Sequence, residues 1–356
     1  MLIAPSVSAI LMEIGIFKQT PTDTHNYTAM KTKLSLLGII ASLGAVVTVS
    51  AQDSAVTKPV GYHTETILGD AFTLLGINVG NAVAAAGDFD ADSAQDNDVD
   101  FTTLLTDGTQ YTVQNTATGE SAAITEWDAN TLTSALGNIS SGDSYEVRAD
   151  ATVASIFGAG NEAGLGEGSA TTADIIWIPQ ADGSFRQIYR SEANPIFGIP
   201  AQWSEIGQGG DKADVILPFD AGIFIQRRQA DPIDIVFVGH VRTNATTLNL
   251  FANQFNFVNR VLPVGITLGE SGIETAASWK AGSSTTADMI WLPDGEGGYS
   301  QFYFSEANPI FGIPAQWSQV GAGGDQSSTE LTAGYAIQKR GDAGKVTVAV
   351  PSDLDI

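Results

Sequence analysis

The sequence repeats part of itself, and this repeat constrains the fold more than any other feature. The fourteen residues SEANPIFGIPAQWS at Ser191 to Ser204 recur without change at Ser305 to Ser318. The match extends on both sides, from TTADIIWIP and TTADMIWLP upstream to GIFIQRR and GYAIQKR downstream. A long internal match indicates a structural unit that is built twice. We therefore expect tandem modules.

Short strand patterns fill the repeat. Asp174 to Pro179 is apolar and β-branched, and Phe185 to Tyr189 follows the turn dipeptide Asp182-Gly183. Ile223 to Arg227 and Lys345 to Val350 alternate apolar and polar residues, as half-buried strands do. The prolines of the identical segment have no backbone N–H to donate to a neighbouring strand, so we expect a loop there.

A different region precedes the first copy. Between Phe101 and Asp150 the runs YTVQNT, AAITEW and SYEVRA are separated by Gly, Asn and Ser turns, which predicts a small β-barrel or sandwich. The expected fold is therefore all-β, with tandem sandwich-like or barrel-like modules. The predicted modules are residues 52–240, with the barrel inserted at about 101–150, and residues 241–356, which repeat 169–228.

The N-terminal region has the residue pattern of an export signal. From Met30 two lysines precede an apolar stretch, Leu34 to Val49, and small residues that end at Ala51. This layout predicts a secretory signal peptide at residues 30–51. Residues 1–29 fit poorly upstream of such a signal, so we expect Met30 to be the true start and residues 1–29 to be a non-native extension.

Export sets the expected location. No second long apolar run follows the signal, so we expect no integral membrane segment after its removal and a periplasmic, outer-surface or extracellular protein. The chain has no cysteine, and its stability must come from burial and strand pairing rather than disulfides.

The charge is strongly acidic. The chain has 16 Lys plus Arg against 40 Asp plus Glu, a formal net charge of −24. Nucleic acid is excluded as an expected partner because phosphate binding needs clustered basic residues. Anionic membrane surfaces are disfavoured for the same reason. Self-association, envelope components and glycans remain as expected partners.

The stretch GDFDADSAQDNDVD suggests a calcium site. Its candidate ligands are Asp88, Asp90, Asp92 and Asp96. The Asp-x-Asp-x-Asp start resembles the opening of an EF-hand loop. However, Ser93 stands where such a loop needs Gly, and Val99 where it needs a bidentate Glu. The alternative is a solvated acidic loop between strands.

The repeated loop offers two equivalent candidate sites for a ligand. Their residues are Trp203, Gln202 and Glu192 in the first copy, and Trp317, Gln316 and Glu306 in the second. Exposed indoles beside amides and carboxylates suit carbohydrate binding. The alternative is an apolar loop packed over the sheet with the Trp as its anchor. Trp177 and Trp291 lie within strand patterns and are predicted to be core residues.

Catalytic motifs are scarce. Only His63 and His240 follow the signal, and the chain has no GxSxG, HExxH or cysteine set. Both histidines are expected at strand edges rather than as catalytic bases. Paired carboxylates could hydrolyse glycosides, but no pair stands out among so many acids. We therefore expect no enzymatic activity.

The succession of VGYHTET, AITEW, SYEVRADATVASIFGAGNEAGL, TTADIIWIP and GIFIQRR resembles a family of exported proteins that occurs as many paralogues in verrucomicrobial bacteria. The resemblance covers about Val56 to Val241, and the second copy repeats its latter half. It implies export and a β-rich fold, and it implies no activity.

The functional expectation is an exported, non-enzymatic structural, adhesive or surface-assembly protein. Two copies of one contact surface strengthen binding through effective concentration. The first alternative is a carbohydrate-binding protein that uses the Trp203 and Trp317 loops. The second is a hydrolase acting on polysaccharides.

Overall fold

Strands make up most of the regular structure in residues 60–351, the part of the chain that this computed structural model describes. The all-β prediction is confirmed. The predicted upstream extension and signal peptide, residues 1–51, lie outside the described residues, as do the first residues of one predicted module and the last of the other. Within 60–351, no helix has the length and apolar character needed to cross a membrane.

The elements run in the following order along the chain. They are β1 (Val60–Ile67), β2 (Phe72–Leu75), β3 (Val79–Gly80), β4 (Val83–Asp88), α1 (Phe101–Leu104), β5 (Tyr111–Asn115), β6 (Ser121–Trp127), β7 (Leu132–Ser134), β8 (Ser144–Ala149), β9 (Ala151–Thr152), α2 (Val153–Phe157), β10 (Ile175–Pro179), β11 (Phe185–Ser191), β12 (Gln202–Glu205), β13 (Ile216–Leu217), β14 (Ile223–Gln226), β15 (Ile233–Val241), β16 (Thr246–Leu250), β17 (Phe255–Asn259), a 3-10 turn (Ile273–Thr275), β18 (Met289–Pro293), β19 (Tyr299–Ser305), β20 (Gln316–Gln319), β21 (Gly334–Gln338) and β22 (Gly344–Val348).

Two five-stranded antiparallel sheets hold the two copies of the repeat. The first has the order β12-β11-β10-β14-β2, and the second has the order β20-β19-β18-β21-β17. The strands predicted at Asp174 to Pro179, Phe185 to Tyr189 and Ile223 to Arg227 are β10, β11 and β14 of the first sheet, whereas the strand predicted at Lys345 to Val350 is β22, which pairs with β16 outside both sheets. The described residues belong to one compact unit, so the division into tandem modules stays a prediction.

Each five-stranded sheet buries one face under a ribbon of strands. Ile176 and Ile178 of β10 pack with Ile235 and Phe237 of β15, which pairs along its length with β1. In the second sheet, the equivalent inner residues pack against β16 and β22, which pair with each other. Successive side chains of each strand point to opposite faces, so each sheet has one face buried against its ribbon and one outer face.

The predicted barrel insertion is an open sheet. Its order is β4-β8-β5-β6-β7, around a separate small core. A single bridge, Gln95 to Thr131, links the chain after β4 to the chain before β7. The prediction of a barrel is therefore wrong, because β4 and β7 do not pair with each other to close the sheet. The sheet also includes Val83–Asp88, ahead of the predicted start at residue 101.

A buried ion pair ties the start of the central strand to the end of a neighbouring strand in each copy. Arg227 donates to Asp174 at 2.8 Å in the first sheet, and Lys339 bonds Asp288 in the second. Both carboxylates also accept backbone N–H bonds, from Arg228 in the first copy for example. Asp174 and Asp288 occupy equivalent positions in the repeat. The two copies therefore contain the same buried ion pair with a different cation, Arg227 in the first and Lys339 in the second.

Candidate functional site

The indoles of the identical segment are buried. Trp203 is 0% exposed and Trp317 is 1% exposed. Trp203 lies in β12 opposite Arg190 of β11, on the face that also carries the core residue Ile188. The expectation of two exposed indole platforms is therefore corrected: the segment returns to strand at Gln202, and the alternation of that strand turns the indole inward.

The two buried indoles have different surroundings: Trp203 makes a hydrogen bond, whereas Trp317 is held by aromatic packing. Trp203 donates from Nε1 to the Gly158 carbonyl at 3.0 Å, and the guanidinium of Arg190 lies 5.7 Å from its ring centroid. Trp317 packs against Trp279 and Phe304, with ring centroids at 5.8 and 5.6 Å. Its Nε1 has no hydrogen-bond partner among the described residues. Both residues anchor a strand to the core, as the alternative hypothesis expected.

The other candidate sugar-binding residues lie near each hairpin but do not form a site with the buried indoles. Gln202 and Gln316 are half-buried at the first position of β12 and β20, whereas Glu192 and Glu306 are exposed beyond the ends of β11 and β19. The structure thus keeps these side chains near each hairpin, but it leaves no exposed indole for them to flank.

The apolar part of the segment forms a tight hairpin tip. Asn194 and Ile199 exchange backbone hydrogen bonds of 2.7 and 3.0 Å, and Asn308 and Ile313 repeat them at 2.8 and 3.0 Å. The four residues between each pair make the turn, and its last residue, Gly198 in the first copy, has φ +63°. A side chain with a Cβ is disfavoured in that left-handed conformation. We call these loops, residues 194–199 and 308–313, the first tip and the second tip.

The apolar side chains of both tips are exposed to solvent. Ile196 is 87% exposed and Phe197 is 75% exposed, and in the second tip Ile310 is 87% and Phe311 is 76% exposed. The expectation that the loop packs over the sheet is therefore wrong. The hydrogen bonds of the tip close it as a short hairpin extension beyond the edge strand, so its side chains reach no core.

The tips are identical although core packing does not require it. The strands that carry them differ: Ile188 and Glu205 of the first copy stand where the second has Phe302 and Gln319. Exposed positions tolerate substitution more readily than buried ones. The identity of two exposed apolar tips on differing strands therefore favours a role in contact with another molecule.

The four aspartates proposed for calcium do not share a ligand position. Asp96 is buried and accepts from Tyr145 Oη at 2.7 Å, whereas Asp88 accepts from Ser144 Oγ at 2.5 Å. Asp90 accepts from the backbone N–H of Asn97 at 2.6 Å, and Asp92 from that of Ser141 at 3.1 Å. In the described part of the chain, no group of three His, Cys, Asp or Glu side chains could hold a metal ion.

Burial and the hydrogen bond to Asp96 raise the pKa of Tyr145, so its hydroxyl stays a donor to that carboxylate. The acidic stretch is therefore a loop held to the inserted sheet by hydrogen bonds, and the bond between buried Asp96 and Tyr145 fixes it to the core of that sheet. The calcium hypothesis is left without a common site for these four carboxylates.

Sequence reasoning missed both the exposed tips and the outer aromatic residues. Trp177 and Trp291 are half-buried on the outer faces of the two sheets, not in the cores as predicted. A signal for this was available, because each Trp alternates with two buried aliphatic residues in its strand. For the tips, the signal was an apolar pair between Asn-Pro and Gly, a turn pattern that projects its central residues.

Comparison with known protein-family models, with curated proteins and with solved structures found no match.

Proposed function

We propose that this chain is an exported, non-enzymatic surface-assembly protein that joins copies of itself through the first and second tips. The observation that carries the proposal is the exposure of an identical Ile-Phe pair on both tips. Exposed apolar side chains that cluster at one place are typical of interaction sites. The predicted signal peptide supports export, and an exported assembly would lie in the periplasm, on the outer surface or in the medium.

The contact between chains comes from the tips rather than from strand pairing. Strands β12 and β20 are the outermost strands of their sheets, and each leads directly out of a tip. Their outer edges are already in use, because the Trp203 carbonyl accepts from the Lys212 N–H at 2.8 Å and the Trp317 carbonyl accepts from the Gln326 N–H at 2.9 Å. The exposed apolar side chains of the tips therefore supply the contact by burying their surface against another chain.

Two tips on one chain allow growth beyond a pair. A subunit with one contact surface can form only a closed pair, whereas a subunit with two can bridge neighbours. Two weak contacts also reinforce each other through effective concentration when both can be made at once. A net charge of −24 disfavours anionic lipid as the surface that the tips contact.

The experiment is analytical ultracentrifugation of the exported protein over a wide concentration range. The wild type should form complexes larger than dimers as the concentration rises. A variant with Ile196→Ser, Phe197→Ser, Ile310→Ser and Phe311→Ser should stay monomeric. A variant changed in one tip only should stop at small complexes, because one contact per chain remains.

A matched control removes apolar side chains at another exposed place. Tyr62 and Val238 form a cross-strand pair on β1 and β15, and both are largely exposed. Tyr62→Ser with Val238→Ser should assemble as the wild type does. All variants should keep the free energy of unfolding within about 0.5 kcal/mol, because the altered side chains are on the surface. A wild type that is monomeric throughout, or a four-residue tip variant that still assembles, would disprove the proposal.

A further inference from the structure

A cleft of about 700 Å³ lies where the two five-stranded sheets meet the β1–β15 ribbon. His63 and Glu65 of β1 line it on one side, and Arg260 and Glu330 on another. Phe72 of β2 and Tyr299 of β19 also border it. Its volume is within the range of about 300–1,000 Å³ that is usual for ligand sites. Residues from several elements of the fold thus converge on one space.

An aromatic row runs across the outer faces of the two sheets and ends in this cleft. Its members, in order of contact, are Tyr299, Trp291, Phe255, Phe257, Phe224 and Phe72. Successive ring centroids are 4.8 to 6.5 Å apart. Phe224 and Phe257 join the two sheets in the middle, whereas the two end residues, Tyr299 and Phe72, remain exposed. The cleft therefore has exposed aromatic rings at two places on its wall.

The polar groups of the cleft are held in place before any ligand arrives. Arg260 is buried and donates to the Leu331 carbonyl at 2.6 Å, and its Nη1 lies 3.4 Å from Glu330 Oε1. His63 Nε2 lies 2.7 Å from Glu65 Oε1. Groups that are fixed in this way lose little freedom when they bind a ligand. The Glu330 side chain is mostly exposed, so its carboxylate can still accept bonds from a ligand.

The mixture of groups limits what can bind. An apolar peptide would bury the charged groups of the cleft without partners, at a cost in free energy. An anionic ligand would meet two carboxylates, Glu65 and Glu330, against one permanent cation, Arg260. A sugar ring presents an apolar face of C–H groups and a rim of hydroxyls, so it matches both aromatic rings and hydrogen-bonding side chains.

The repeat provides a second, independent observation. Tyr299 of the second copy is equivalent to Phe185 of the first, and each opens the second strand of its hairpin. Phe185 borders a smaller cavity of about 290 Å³, which Gln180 and Asn249 also line. The same hairpin position therefore places an aromatic ring beside a cavity in both copies. The shared arrangement favours ligand contact rather than a chance gap.

We propose that the cleft bordered by Phe72 and Tyr299 binds an uncharged oligosaccharide. The two aromatic rings pack on sugar faces, and Glu65, Arg260 and Glu330 bond hydroxyls. This site differs from the buried Trp203 and Trp317 and is independent of the tips. It would let an assembled protein hold a polysaccharide.

The test is isothermal titration calorimetry with uncharged hexasaccharides of glucose, mannose, xylose and N-acetylglucosamine, and with a polygalacturonate fragment as the anionic comparison. At least one uncharged probe should bind. Tyr299→Ala should weaken that binding by about tenfold, or about 1.4 kcal/mol, because the variant loses an aromatic contact and its buried area. Glu330→Gln should weaken it less and keep the melting temperature, since the side chain is exposed.

Leu104→Ser is the control, because it removes an exposed apolar side chain of α1, away from both the cleft and the tips, and should leave sugar binding unchanged. Three results would overturn the proposal. They are the absence of binding by every uncharged probe at millimolar concentration, binding that is unaffected by both Tyr299→Ala and Glu330→Gln, and tighter binding of the polygalacturonate fragment. If Tyr299→Ala lowers the melting temperature, the second result is judged from Glu330→Gln alone.

Discussion

The hairpins β11–β12 and β19–β20 share an identical tip but are built on different strands. In the first, Arg186 donates to both oxygens of Glu205, at 3.0 and 2.8 Å. In the second, Gln319 donates to Ser300 at 3.3 Å, a neutral bond at the equivalent place. An ion pair and a neutral pair thus support the same loop.

The comparison shows that the tip conformation is local. The exposed fractions of the Ile-Phe pairs agree within 1% between the copies, although the strands beneath them differ. The hydrogen bonds inside each tip and its left-handed Gly are sufficient to explain this agreement. Side-chain contacts of the strands therefore hold the hairpin to the core, whereas the residues of the tip alone set which side chains are exposed to solvent.

The largest effects should come from the buried ion pairs that anchor the central strands. Asp174→Asn leaves Arg227 without its buried carboxylate, and Asp288→Asn does the same to Lys339. Each change should lower the free energy of unfolding by about 3–5 kcal/mol, because a buried charge is left uncompensated. Urea denaturation at pH 7 measures the loss. A loss below 1 kcal/mol in only one variant would show that the two copies are not anchored equally.

The two indoles should differ in their sensitivity to replacement by Phe. Trp203→Phe removes the bond to the Gly158 carbonyl, whereas Trp317→Phe removes an N–H that has no partner in residues 60–351. Both variants lose packing, but Trp203→Phe should cost about 1 kcal/mol more. Urea denaturation of the two variants side by side tests this. The reverse order would mean that aromatic packing outweighs the hydrogen bond.

The smallest effect should come from the ion pair in the first hairpin. Hydrogen bonds from Arg186 hold the pKa of Glu205 below its ordinary value of 4.5, although partial burial opposes this. A lowered pKa in the folded state adds stability above pH 4.5, and that stability is lost as the pH falls through the folded pKa. Arg186 is partly exposed, so the gain is at most about 1 kcal/mol.

Glu205→Gln should therefore destabilise the protein slightly at pH 7, and its difference from the wild type should shrink as the pH falls from 7 through the lowered folded pKa, because the wild-type carboxylate then becomes protonated itself. Free energies of unfolding across this pH range provide the measurement. Ser300→Arg with Gln319→Glu transfers the pair to the second hairpin and should introduce the same pH dependence there. A difference between Glu205→Gln and wild type that does not shrink as the pH falls would assign the effect to packing.

Much of the local structure could be predicted from the sequence. The strands at Ile175–Pro179, Phe185–Ser191 and Ser144–Ala149 follow from apolar and alternating runs between turn residues. The loop at Asn194-Pro195 follows from the proline, which cannot donate to a ladder. These features depend on neighbours in the chain, so the chain itself carries the information.

The candidate site could be located but not interpreted. The repeat identified Ser191 to Ser204 as the segment of interest, yet both readings of it placed at least one residue wrongly. Trp203 looked suited to a sugar and is buried, while Ile196 looked suited to a core and is exposed. Hydrophobicity predicts burial only as an average, and the direction of a side chain depends on where the strand restarts.

By itself, the sequence determined that the protein is β-rich, contains an internal repeat and is strongly acidic, because propensity, periodicity and charge belong to the chain. Only the tertiary structure decided that the inserted sheet stays open, that the indoles turn inward and the tips outward, and that Phe72 and Tyr299 meet at one cleft. These depend on contacts between residues far apart in the chain, and such contacts form only when strands pair and sheets pack.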